Sequence, residues 1–220
     1  MSQRLPRQLD AHEIRVLGCL LEKEQATPEY YPLTLNALVA ACNQRSNRMP
    51  VLDLSDREVH AAAERLREAG LTSRDDHGRA TRWRHMLDRR LRLDAPSKAA
   101  LTVLLLRGAQ TAGEVRGRSG RMHEFASIGA AESALADLAD PDDPLVELLE
   151  VEPGQKEPRW AHRMGVDEPA SAPPARKADA PASTRLDVEQ VMLRLGRLEQ
   201  QVEELQTAVR RLRGATASGS

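Results

Sequence analysis

Apolar residues recur at helical spacing along the first third of the chain, separated by turn and capping residues. Ile14, Leu17, Leu20 and Leu21 form the first stripe, opened by Asp10 with Glu13 three residues on, a capping-box variant, and ended at Thr27-Pro28. Leu35, Leu38, Val39 and Cys42 mark a short second helix after Thr34, and the polar run from Asn43 to Pro50 reads as a loop. Ser55 and Glu58 make another capping box ahead of a third helix. Val59, Ala62, Ala63 and Leu66 are its inner face, and Gly70 is its stop. Two short extended runs follow between Leu71 and His85, divided by the hairpin signal His77-Gly78.

The same order then repeats. Asp94 and Pro96 open a helix containing Leu101, Leu104 and Leu105, stopped at Gly108, and Thr111 with Glu114 caps a second. Ile128, Ala131, Leu135 and Leu138 stripe a third, and runs at 145–151 and 158–163 flank Pro153-Gly154 as two strands. Arg82-Trp83-Arg84-His85 and Arg159-Trp160-Ala161-His162 lie 77 residues apart, as an internal duplication requires. Three helices and a hairpin are the order of a winged helix-turn-helix. The pattern therefore predicts an α+β chain, mainly α with small β-hairpins, made of tandem winged-helix domains over 1–93 and 94–164.

Beyond the second hairpin, residues 165–184 are rich in Pro and Ala without an apolar period, a linker spanning roughly 25 Å. Val188, Val191, Leu195, Leu198, Val202, Leu205, Val209 and Leu212 then alternate steps of three and four, the seam of a coiled coil over 185–213. β-Branched residues at Val188, Val202 and Val209 with Leu at Leu198, Leu205 and Leu212 favour a parallel homodimer, with 214–220 a disordered tail.

Composition narrows the picture. Aromatics are 2% of the chain, so the core must be Leu, Val, Ile and Ala, which suits helix packing. The net charge of −1 hides an asymmetry: residues 1–94 hold 16 basic and 14 acidic groups, residues 95–164 hold 8 and 11. The chain has no 18-residue apolar run and no signal-peptide start, so a cytoplasmic protein that neither spans nor binds membrane is expected. Cys19 and Cys42 fall within helical apolar patterns and read as buried thiols, which fits a reducing cytosol.

Three polar stretches are candidates for function. The third helix of the first repeat carries Arg57, His60 and Arg65 outside its core stripe, where a winged helix reads base edges. The first hairpin and its exit hold Arg74, Arg79, Arg82, Arg84, Arg89, Arg90 and Arg92 against Asp75, Asp76 and Asp88, a surface for phosphate or a solvated hairpin with local ion pairs. Arg45 and Arg48 join it from the NQRSNR run, whose Asn43 reads as shaping the turn. Arg116, Arg118 and Arg121 read as a solvated loop. The third helix of the second repeat has Glu132, Asp137 and Asp140 with no Lys or Arg, a face a phosphate backbone repels.

No catalytic or metal-binding constellation emerges, and no cofactor is expected. The six histidines show no HExxH arrangement, no cysteine pair has metal spacing, and the GRSG run lacks the Lys and Ser/Thr of a phosphate loop. His85 and His162, at equivalent strand ends, read as duplicated packing.

The stretches LGCLLEKE, TPEYYPLTLNALVAACNQRSNR and LLLRGAQTAGEVRGRSGRMHEF resemble the bacterial YceH-like family from about Leu9 to Met164. The polar strings ACNQRSNR and RGAQTAGE make the resemblance specific, because helical periodicity does not dictate them. The resemblance implies paired winged helices in a bacterial cytoplasmic protein, often with a coiled-coil tail, and implies no function. Two expectations follow: a non-enzymatic, DNA-associated regulator using the first winged helix and dimerised by its tail, or a protein-interaction adaptor that does not touch DNA.

Overall fold

A computed structural model of the chain describes residues 5–76 and 80–165. The hairpin signal His77-Gly78, Arg79, nearly all of the Pro/Ala-rich linker, the heptad seam and the C-terminal tail lie outside the described residues. The described part is mixed α and β, helices with two small antiparallel sheets, and falls within one compact unit.

Local signals place most elements. Helix α1, Ala11–Ala26, begins at a reciprocal cap: Asp10 accepts from the Glu13 amide at 2.9 Å, and the Glu13 carboxylate accepts from the Asp10 amide at 2.9 Å. Strand β1, Leu33–Thr34, leads into α2, Leu35–Cys42, where the Thr34 hydroxyl accepts from the Ala37 amide. Helix α3, Asp56–Glu68, has the Ser55–Glu58 box and buries Val59, Ala62, Ala63 and Leu66 as its spacing predicts. Gly70, with φ +69°, turns the chain into β2, Thr72–Asp75. Strand β3, Arg82–His85, and the short α4, Leu87–Leu91, close the first repeat.

Helix α5, Ala95–Arg107, is capped by Asp94 and stopped at Gly108. Helix α6, Ala112–Ser119, has the Thr111–Glu114 box. Helix α7, Ile128–Leu138, precedes strands β4, Val146–Leu148, and β5, Trp160–His162.

The 77-residue repeat is a register as well as a motif. Leu33 pairs with Trp83 in the sheet β1-β3-β2, and Thr34 beside it caps α2. Gln110 exchanges two backbone bonds with Trp160, at 2.9 and 2.7 Å, and Thr111 beside it caps α6. A single bridge at Gln110 thus takes the place of β1 beside the two-stranded sheet β4-β5.

Three expectations are corrected. Ile128 opens α7 exposed, because only Ala131, Ala134, Leu135 and Leu138 turn inward. Arg116 and Arg118 stand on α6, since the capping box at Thr111 carries the helix through the glycines to Ser119. Helix α1 is buried on nearly every side rather than along one stripe, with Val16, Gly18 and Cys19 enclosed as well. The cause is α5, whose residues from Ala99 to Leu106 are likewise all buried and which packs along α1. A Cβ on Gly18 would lie 2.8 Å from Leu106 Cδ2 and 3.2 Å from Leu105 Cβ, so glycine permits that approach. Leu9, fully buried, donates to the Met164 carbonyl at 2.9 Å, which returns the end of the second repeat to the start of α1. The two repeats share one core.

Candidate functional site

Helix α3 and the first hairpin meet at an aromatic contact. Alternation along β3 leaves Arg82 and Arg84 exposed and turns Trp83 and His85 inward. The His60 ring of α3 stands edge-on to Trp83, with centroids 5.8 Å apart and planes at 89°. The exposed stripe of α3 therefore runs directly into the strand that carries the two arginines.

The cations on this surface fall into two groups. Arg45 and Arg57 are exposed and meet no carboxylate among the described residues. Arg82 donates to the Pro32 carbonyl at 2.9 Å, a neutral acceptor that steadies the side chain, and stands opposite Asp75 in the β2–β3 register. Arg84 lies 4.0 Å from Asp75, with both side chains over 40% exposed, so water screens that pair.

The other three described arginines of the predicted site are committed elsewhere. Arg74, opposite Trp83 in the β2–β3 register, bridges Glu64 at 2.7 Å and Asp76 at 2.8 Å. Arg65 points along α3 to the start of α1, binding Asp10 at 2.7 Å and Glu13 at 3.2 Å. It clamps a helix N-terminus with its side chain still 42% exposed. Arg48 is the plainest correction: its side chain is fully buried and bidentate on Glu22 at 2.6 and 3.0 Å. It also donates to the Ala41 and Asn47 carbonyls and to Gln44. A buried guanidinium satisfied by five acceptor contacts offers nothing to a phosphate.

The rest of the NQRSNR run is spent in the same way. Asn43 exchanges two 2.8 Å bonds with the backbone of Leu54 and shapes the turn. Asn47, with φ +60°, accepts from Arg107, and the Met49 amide donates to the Leu106 carbonyl at 2.9 Å. The loop brackets α1, α2 and the C-terminal end of α5. The RGAQTAGE run supplies the other side of the bracket, where Glu114 both caps α6 and binds Arg159 at 2.8 Å.

A cluster beside β3 went unread in the sequence. His85 Nε2 lies 2.7 Å from a Glu24 carboxylate oxygen, and the Leu87 amide lies 3.3 Å from His85 Nδ1. Lys98 binds Glu24 at 2.9 Å and Asp88 at 2.6 Å. Burial pushes the Glu24 carboxyl up, but the bonds and charges of His85 and Lys98 outweigh it and hold it at about 2. Glu24, His85 and Asp88 could together offer three metal ligand atoms. The Lys98 ammonium already stands between the two carboxylates and supplies the cation. His162, the equivalent in the second repeat, pairs with Val146 across the hairpin.

Helix α7 presents Glu132 and Asp137 on its exposed side and has no basic residue. No helix among the described residues is long and apolar enough to cross a membrane.

The chain is similar over most of its length to bacterial proteins described only as UPF0502. It is 47% identical to the one from Geobacter metallireducens over 198 residues, 88% of each chain. It is 47% identical to that of Geobacter sulfurreducens over 194 residues, again 88% of each. With the Acidovorax protein it shares 41% over 211 residues, 94% of this chain and 93% of the other. Residues 9–155 match the family model described as "Protein of unknown function, DUF480". This chain therefore belongs to the DUF480 family, whose bacterial members include these UPF0502 proteins.

Proposed function

We propose that the chain is a non-enzymatic, DNA-associated regulatory protein whose two repeats are tandem winged helices. In this reading α3 enters the major groove of duplex DNA and the first hairpin is the wing that meets phosphate. The observation that carries it is the His60–Trp83 contact, which fixes α3 against the strand whose opposite, exposed face carries Arg82 and Arg84. Arg57 and His60 are then the base readers, and Arg82, Arg84 and Arg45 the phosphate contacts. The second repeat supports and orients the first, because its acidic α7 repels a phosphate backbone.

The heptad seam from Val188 to Leu212 makes the protein a parallel dimer in this reading, so that two copies address two half-sites. Binding of random duplex DNA whose affinity falls steeply with salt supports phosphate contact, and no binding at low salt removes the reading. Deleting residues 185–220 and sedimenting the product tests the tail, since an unchanged oligomer mass refutes its role. The acidic second repeat favours the alternative, a protein-interaction adaptor, and that reading gains if intact protein ignores DNA.

A further inference from the structure

The geometry points to the outer edge of β4 as a docking site for an extended protein segment that alternates basic and apolar residues. This surface belongs to the second repeat and does not depend on whether the first touches DNA.

Strand β4 is paired on one side only. The Arg163 amide donates to the Leu145 carbonyl at 2.9 Å and the Leu149 amide to the Arg159 carbonyl at 2.7 Å, so Leu145 and Leu149 turn their backbone toward β5. By the alternation of an antiparallel ladder, Val146 and Leu148 turn theirs outward; Val146 is fully buried, so the open groups of the strand are those of Leu148. Among the described residues no strand takes those groups.

Edge strands are ordinarily blunted by charge, proline or a bulge. The edge strand of the first sheet, β2, follows that rule with Arg74 and Asp75. The segment from Leu145 to Glu152 has no Lys, Arg or Pro. Instead it exposes Leu148 at 51%, Leu149 at 37% and Val151 at 51%. Apolar surface beside open backbone bonding groups is what strand addition uses, the ladder giving affinity and the side chains giving selectivity.

Charge selects the occupant. From Met122 to Pro158 the sequence holds ten acidic residues and one lysine; Glu147 already faces Arg163 at 3.6 Å, and Glu150 and Glu152 follow just after β4. A second copy of the same strand would set these carboxylates against each other, and duplex DNA would be repelled. A segment with Arg or Lys at alternate positions faces Glu150 and Glu152 on one side while its apolar residues cover Leu149 and Val151 on the other.

The test uses the full-length chain and a dye-labelled decapeptide of alternating arginine and valine, followed by fluorescence anisotropy. Saturable binding is expected. Two N-methylated versions, one on every valine and one on every arginine, keep the charge and block opposite bonding edges. One of them should bind about tenfold more weakly and the other as well as the parent. The variant Leu149→Lys/Val151→Lys should lose about tenfold with its circular dichroism unchanged. If it misfolds, Glu150→Lys/Glu152→Lys at exposed positions gives the same reading. No saturable binding, equal affinity for both N-methylated peptides, or undiminished affinity in the folded variant overturns the proposal. Self-association that the same variant abolishes also overturns it, in favour of a second copy.

Discussion

His60 touches the one fully buried indole of the first hairpin, edge to face, across the seam between α3 and β3. Trp83 and Trp160, 77 residues apart, thus have unequal burdens, because Trp160 is only half-buried against the shared core. Trp83→Ala should cost about 3–5 kcal/mol, and Trp160→Ala clearly less. The Trp83 Nε1 is buried without a hydrogen-bond partner. Phenylalanine removes that stranded donor along with some area, so Trp83→Phe should cost under ~2 kcal/mol. Urea unfolding followed by far-ultraviolet circular dichroism ranks the three, and a Trp160→Ala loss as large as that of Trp83→Ala contradicts the assignment.

Arg48 and Glu22 should behave as a buried pair. Arg48→Met strands the Glu22 carboxylate and should destabilise by roughly 3–5 kcal/mol, whereas adding Glu22→Leu should recover much of that loss. Arg45→Ala, three residues away and exposed, should stay within about 0.5 kcal/mol. Equal unfolding midpoints for Arg45→Ala and Arg48→Met would show that the NQRSNR run is solvated after all.

The Glu24 carboxyl, at about 2 in the folded chain against about 4.3 unfolded, ties stability to acid. As pH falls, the unfolded chain takes up this proton first, so the stability present above about pH 4.5 drains away toward pH 2. Asp10 and Glu13, also held below their usual values, act in the same direction. Glu24→Gln should therefore lower stability at pH 7 by about 1 kcal/mol and flatten this part of the acid dependence. The check is the difference between native and variant stabilities from pH 7 to 2.5. A difference that does not shrink on acidification contradicts the role given to His85 and Lys98.

The parts of the fold legible from sequence were those set by local rules. Asp10, Ser55 and Thr111 announce their helices because a short oxygen side chain with Glu three residues on satisfies free amides in any context. Arg82 and Arg84 read as exposed because Trp83 between them had to turn inward. What escaped depended on distant chain. Charge alone could not distinguish a solvated Arg45 from a buried Arg48, since Glu22 lies 26 residues away. Nor could the α1 pattern show that its second side is covered by α5, whose Leu105 and Leu106 meet Gly18. Of the polar strings that marked the family, the one holding Arg45 and Arg48 read as a candidate site, and much of it closes a turn through Asn43 and Leu54 or reaches α5 through Asn47 and Arg107.

The central claim is that the first repeat holds DNA with Arg82 and Arg84 on phosphate and Arg57 and His60 on bases. Substituting the first pair should weaken all sequences alike, and substituting the second should change the preference among them. The most direct measurement is the salt dependence of duplex binding by the intact chain and by Arg82→Ala/Arg84→Ala. The log–log slope should become shallower by about 1.8, or ~0.9 for each lost phosphate contact, with the fold unchanged. An unchanged slope in that variant, or no binding of duplex by the intact chain at low salt, contradicts the claim.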